Sequence, residues 1–225
     1  MRTRGSAEPD TVTCGPGPDF VVAKANDTIA ADCDRADRGV NQRPKRRDSA
    51  VVAPAGGTLQ MSPAGIVRRV PLQDKVVLPL SSIVDALAGK VSVTSAPATR
   101  RFETVKLEQG AFDITQTAAK RAVTQFALQG GDFNVCATAA GGRASAAAGK
   151  KASARTVRQL WASGKGSFRT KGRYASATVR GTNWQTIDRC DGTLIKVKKG
   201  AVSVRDLVKK QTVVVNAGDS YLAKR

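Results

Sequence analysis

An all-β fold, a sandwich or roll of short strands, is what this sequence predicts, and three observations carry the prediction. Apolar and polar residues alternate with a period of two over residues 177–179, 194–197, 202–204 and 213–215, the pattern of half-buried strands. Glycines punctuate the joins, and Asp191-Gly192 suits a tight hairpin because both central residues of such a turn take positive φ. Aromatic residues make up only 4% of the chain, so the core must be built from Val, Ile, Leu and Ala. A chain of 225 residues has room for one or two domains with a real core.

Residues 1–39 read as a unit of their own. Cys14-Gly15-Pro16-Gly17-Pro18-Asp19-Phe20-Val21 approximates a glycine-rich nonapeptide, with glycines for the turn, an aspartate to meet an ion and an apolar residue pointing inward. The unit resembles the end of a hemolysin-type calcium-binding repeat array, and the resemblance implies a parallel β-roll remnant with Asp19 as a metal ligand. Two departures weaken a calcium site: Cys14 stands where the first glycine belongs, and only one full repeat is present. Calcium wants six to eight oxygens shared between successive turns, so a solvated acidic cap is the competing expectation.

Residues 40–66 read as a flexible basic linker, since Asn41-Gln42-Arg43-Pro44-Lys45-Arg46-Arg47 is polar and proline-interrupted and Pro54-Ala55-Gly56-Gly57 resists regular structure. Residues 67–225 form the expected β domain. Strand candidates are 76–78, 91–93, 102–107, 112–114 and 126–128. Gly89-Lys90-Val91-Ser92-Val93 echoes Gly200-Ala201-Val202-Ser203-Val204, which suggests a duplicated strand unit. Residues 137–154, rich in Ala, Gly, Ser and Lys, offer little to bury and are expected to be a mobile surface loop. Residues 155–161 then lead Trp161 toward the core, as a strand or one helical turn.

The C-terminal stretch carries the sharpest motif. Gly166-x-Phe168-x-Thr170, Val179-Arg180-Gly181-Thr182-x-Trp184, Val197-x-x-Gly200-x-Val202-x-Val204 and a valine strand ending at Ala217-Gly218 together are similar to the FecR-type domain. That resemblance implies an all-β bacterial module of extracytoplasmic proteins, some of which relay a signal from an outer receptor to a membrane anti-sigma factor. The chain shows neither the transmembrane helix nor the cytoplasmic segment of such a relay, which leaves envelope association as the better expectation.

Composition limits the chemistry. The chain has no histidine, which removes Ser-His-Asp and Cys-His nucleophile systems and the commonest metal ligand. Charge is uneven, with five Lys/Arg against seven Asp/Glu in residues 1–40 and 32 against 11 in the rest. Such a basic body favours polyanions, whether nucleic acid, acidic cell-wall polymers or anionic lipid surfaces, but in an all-β chain with polar residues facing outward a solvated basic surface without a dedicated partner is the better expectation. Arg169, Lys171, Arg173 and Arg180 are the candidate anion contacts.

A stacking platform for single-stranded nucleic acid would need Trp161, Phe168, Tyr174, Trp184 and Tyr221, rings that an aromatic-poor core needs for itself. Nucleic acid is therefore a disfavoured partner. No Walker-type Gly-Lys-Ser/Thr occurs, and Glu103 and Glu108 have no partner carboxylate at a readable spacing. A non-enzymatic scaffold is expected, with no cofactor apart from calcium at Asp19, where a calcium-dependent adhesion module is an alternative.

The four cysteines, at 14, 33, 136 and 190, form no Cys-x-x-Cys pair. An even count in a β-rich chain fits two disulfides, a local Cys14–Cys33 staple and a longer Cys136–Cys190 link, in an oxidising compartment. Reduced thiols in a cytoplasmic protein are the competing account. No apolar run approaches the roughly 20 residues a bilayer span needs. The N-terminal MRTRGSAEPDTVTCG also lacks a signal h-region. An extracytoplasmic location thus presupposes a leader upstream of this sequence, whose start would be internal or misassigned.

Overall fold

Strand accounts for 59% of the computed structural model and helix for 1%, so the all-β expectation holds. Residues 8–40, 42–98, 101–138, 154–179 and 181–225 are described. The expected mobile loop over 137–154 falls almost wholly outside them, as does Arg180.

The N-terminal unit is a short parallel coil. Strands β1 (Thr11–Val12) and β3 (Thr28–Ile29) pair in parallel, as do β2 (Phe20–Val22) and β4 (Arg35–Asp37). Thr28 lies beside Thr11 and Arg35 beside Phe20, 17 and 15 residues further along the chain, so each circuit passes through both small sheets. Val12, Val21 and Ala23 fill the interior together with Ile29 and the Cys14–Cys33 disulfide. The coil is docked on the main body. Phe20 and Val22 belong to the main core, and the Val77 N–H donates to Asp37 Oδ2 at 2.7 Å.

The expected linker over 40–66 is largely strand. Strand β5 (Ser49–Ser62) pairs with β6 (Val70–Pro71), β7 (Val76–Pro79) and the long β8 (Ile83–Ala98). Its Pro54-Ala55-Gly56-Gly57 segment is accommodated by register shifts between Pro54 and Gly56 and between Thr58 and Gln60. The glycines have a positive use there: a Cβ at Gly57, which has φ +70°, would lie 2.3 Å from the Ala88 carbonyl oxygen. Arg46 and Arg47, the end of the basic run, donate to the carbonyls of Ala118, Ala119 and Lys120 and pin the entry to β5.

The remaining strands extend one sheet in two arms from β8. On one side run β10 (Ala111–Gln116), β11 (Thr124–Gln129), β13 (Phe168–Lys171), β14 (Ala175–Val179), β17 (Ala201–Asp206) and β18 (Thr212–Asn216). On the other run β9 (Arg101–Glu108), β12 (Thr156–Gly164), β15 (Thr182–Arg189), β16 (Gly192–Lys199) and β19 (Ser220–Lys224). All neighbours along these arms are antiparallel except β11 and β13. A four-residue helix, α1 (Val135–Thr138), follows β11.

The nearly closed sheet folds its two arms over a single core. Trp184, Phe112, Phe126 and Phe168 are its largest fully buried side chains. Phe126 meets Phe112 edge-on at 5.4 Å and stacks on Phe168 at 6.0 Å. The arms are also joined by hydrogen bonds, with Thr170 on β13 bonded to Thr186 on β15 at 2.6 Å and Trp184 Nε1–H donating to Thr170 Oγ1 at 2.9 Å.

Three local expectations are corrected. Leu160 and Ala162 face the core and Trp161 is only half-buried, because β12 is a strand and adjacent residues point to opposite faces. The hairpin after β15 turns on Cys190-Asp191, one residue earlier than expected, with Gly192 opening β16. Gly192 is required for a different reason: a Cβ there would sit 2.1 Å from the Ala223 carbonyl oxygen of neighbouring β19. Finally, the echoing glycine-valine segments lie on β8 and β17, each of which forms an antiparallel hairpin with the strand after it. The echo ends there, since β10 returns to lie beside β8 whereas β19 lies beside β16 and not β17.

Candidate functional site

Between Val179 and Thr182 of the Val-Arg-Gly-Thr motif the chain leaves β14 and enters β15 in the opposite arm. Gly181 takes φ +77°. Gly200, between β16 and β17, packs against it so closely that a Cβ at Gly200 would lie 2.3 Å from the Gly181 carbonyl oxygen. The Thr182 hydroxyl donates to the Lys199 carbonyl across the same corner. The motif residues other than Arg180 therefore serve the fold, and Trp184 is the anchor that follows.

Of the candidate anion contacts, Arg169 and Lys171 share the outward face of β13, because Phe168 and Thr170 point inward. Arg169 Nε donates to Thr178 Oγ1 at 3.0 Å. Arg173 turns away from them and stacks over the Phe133 ring at 4.7 Å, with Arg158 at 5.2 Å from the same ring. The rings of the stacking platform are not brought together: Phe168 and Trp184 are fully buried, and Tyr221 is engaged with Asp206.

The buried carboxylates of the β body are held by structural partners. Asp188 is fully buried and accepts from Arg158 Nε at 2.7 Å, from the Arg173 N–H at 2.9 Å and from Thr193 Oγ1 at 2.6 Å. Burial pushes the Glu103 carboxyl up. The Ser167 N–H and Arg121 outweigh that and hold it below the ordinary carboxylate value. Burial likewise raises Asp206, and the Lys209 N–H, the Tyr221 hydroxyl and the Val208 N–H more than reverse it. Asp113 goes the other way, because burial outweighs its hydrogen bond from the Ala127 N–H. Glu108 pairs with Lys90 at 2.9 Å. The two glutamates of the β region thus serve separate ion pairs.

In the coil, an aspartate precedes every strand: Asp10, Asp19, Asp27 and Asp34. Each circuit's aspartate caps the previous one. The Asp10 N–H donates to Asp27 Oδ1 and the Asp19 N–H to Asp34 Oδ2, both at 3.0 Å. Stacked carboxylates need a cation, and on one side the chain supplies it. Lys24 Nζ lies 3.4 Å from Asp10 and 3.5 Å from Asp27, whose side chain is fully enclosed. On the other side Asp19 Oδ2 is buried without a hydrogen-bond partner.

One carboxylate pair already holds an ammonium, and among the described residues no group of three or more metal-ligating side chains is assembled. The spacing of the four aspartates, nine, eight and seven residues apart, is legible in the sequence. The role of Lys24 is not, because it depends on which carboxylates the coil stacks.

Both disulfides form as paired from the sequence, Cys14–Cys33 within the coil and Cys136–Cys190 from α1 to the β15–β16 turn. They use all four cysteines. Among the described residues no helix is long and apolar enough to cross a membrane.

Sequence reasoning missed one feature. A cleft of about 470 Å³ opens where the coil meets β5 and β7, and Arg35, Arg38, Arg43 and Lys45 line it. Comparison with family models, with curated proteins and with solved structures returns no match to this chain.

Proposed function

We propose that this chain is a non-enzymatic, extracytoplasmic binding or structural module of FecR type from a bacterial surface or secreted protein. The observation that carries the reading is the engagement of all four cysteines in two disulfides, a state that persists in oxidising compartments. The glycine corner at Gly181 and Gly200 and the buried Trp184 support the FecR likeness, since they give Gly181, Thr182, Trp184 and Gly200 a packing reason. The satisfied buried carboxylates support a scaffold: Asp188, Glu103 and Asp206 are each held by several donors.

The compartment is testable on the protein in its native producer. Alkylating reagent added before reduction leaves all four thiols unmodified in an envelope or culture fraction, and after reduction it shifts gel mobility by four adducts. Recovery of the chain as four free thiols in the cytosol refutes the reading.

A second reading, polyanion binding, is favoured by the net charge of +19 and by Arg169 and Lys171 sharing one exposed strand face. Steep weakening of polyanion binding with added salt is its signature.

A further inference from the structure

We infer that the cleft between the coil and the β body is a phosphate-binding site, built to seat a phosphoryl-bearing segment of an anionic envelope polymer. The inference rests on the extracytoplasmic binding-module reading and assigns it a site, one distinct from the β13 face.

Four cations converge there from two separate parts of the chain: Arg35 and Arg38 from the last circuit of the coil, Arg43 and Lys45 from the turn before β5. Only Asp37 and Asp48 oppose them. Asp37 is already spent, since its carboxylate accepts from the Gly39 and Val77 N–H groups and from the Gln42 amide. Among the described residues Arg35, Arg43 and Lys45 make no ion pair. They contrast with Arg69, Arg101, Arg121, Arg158 and Arg189, which each pair with a carboxylate. The cleft is therefore net positive, and among the described residues three of its four cations carry no carboxylate partner.

The frame is rigid where it matters. Arg38 Nη1 donates to the Asp27 carbonyl at 2.6 Å, which fixes that guanidinium in place. Pro44 is buried between Arg43 and Lys45, and Arg46 and Arg47 are tied to the 118–120 carbonyls. The two cations of this turn are thus presented on a short, anchored segment, which lowers the ordering cost of binding. Three of the four cations are arginines, whose planar forks match tetrahedral oxyanions in bidentate fashion. The volume exceeds what one inorganic anion fills and suits a group bearing more than one phosphate.

The test is calorimetric titration with tripolyphosphate in about 50 mM salt, on the full chain and two double variants of equal charge loss. Arg43→Gln with Lys45→Gln removes two of the four cations of the cleft, and Arg169→Gln with Lys171→Gln discharges the β13 face. All four residues lie at the surface or half-buried, and unchanged melting of both variants checks that the fold survives. If the cleft variant melts low, Arg35→Gln, at an exposed position, takes its place.

The expected result is a loss of at least tenfold in affinity for the cleft variant and less than twofold for the β13 variant. Equal losses would show a diffuse basic surface and overturn the site. So would the absence of binding at millimolar tripolyphosphate, which leaves the compartment reading to its own thiol test. A polyglutamate of equal charge that binds the cleft as tightly overturns the assignment to phosphate.

Discussion

Replacing Lys24 by methionine removes a charge while keeping the aliphatic stem, and it tests whether a tethered ammonium holds the coil together. Lys24 Nζ sits 3.4 Å from Asp10 and 3.5 Å from Asp27. Without it two carboxylates face each other, and Asp27 cannot relax into water because its side chain is fully enclosed. Removing one member of a fully buried ion pair costs roughly 3–5 kcal/mol. Asp10 is 37% exposed and Lys24 16%, so screening reduces the expected loss to about 2 kcal/mol. For a chain of this size that lowers the melting temperature by roughly 4–8 °C. The loss registers in global unfolding because Phe20 and Val22 of the coil belong to the main core.

The vacated position lies between two carboxylates, so calcium should now help the variant. A weak site with Kd of about 0.1–1 mM, filled at about 10 mM calcium, returns roughly 1.4–2.7 kcal/mol. Scanning calorimetry with and without calcium is the assay. The expected pattern is a wild type indifferent to calcium and a Lys24→Met variant that melts low and recovers with the ion. Equal calcium stabilisation of both proteins, or a variant that melts like the wild type, would refute the tethered-cation argument.

Two titrating carboxylates and the disulfides give further outcomes. Asp206 has its folded pKa lowered, so its contribution is present above the ordinary carboxylate range and is lost as pH falls through the folded value. Tyr221→Phe deletes the 2.8 Å bond to Asp206 and should cost about 1 kcal/mol in urea unfolding at pH 7. That cost should narrow near pH 3, and a pH-independent difference would count against it. Asp113 has its folded pKa raised, so its contribution is present at low pH and lost as pH rises through the folded value. Asp113→Asn is therefore expected to raise the melting temperature at pH 7 but not at pH 3, and the reverse order would refute burial as the dominant cause. Cys136 and Cys190 are 54 residues apart and Cys14 and Cys33 are 19 apart. Loop entropy then assigns losses of about 4 and about 3 kcal/mol to Cys→Ser replacement of each pair, read from denaturant midpoints; a larger loss for the shorter loop would contradict that ordering.

The C-terminal strands were readable because their environment is written locally. In β17, Val202 and Val204 are buried and Ser203 is not, so a two-residue period carries the answer. Strand β5 was not readable, because Pro54 and Gly56-Gly57 carry local breaker signals. What overrides them is a neighbour far along the chain: β8 approaches so closely at Ala88 and Gly89 that only glycine fits opposite. Trp161 misled for a similar reason, since hydrophobicity argues for burial but strand phase gives the core to Leu160 and Ala162.

Charge was the least legible property of all, because the fold divides runs that the sequence presents as units. Arg43, Lys45, Arg46 and Arg47 look like one basic patch, yet two of them pin a carbonyl turn while the other two line the cleft beside Arg35 and Arg38. Arg169, Lys171 and Arg173 look like another, yet Arg173 is drawn off to Phe133. A local run of cations reports how much positive charge a segment carries. Which of those charges stays unspent depends on the carbonyls and rings that the topology delivers, and for Arg46, Arg47 and Arg173 these come from residues about 40 to 70 positions away.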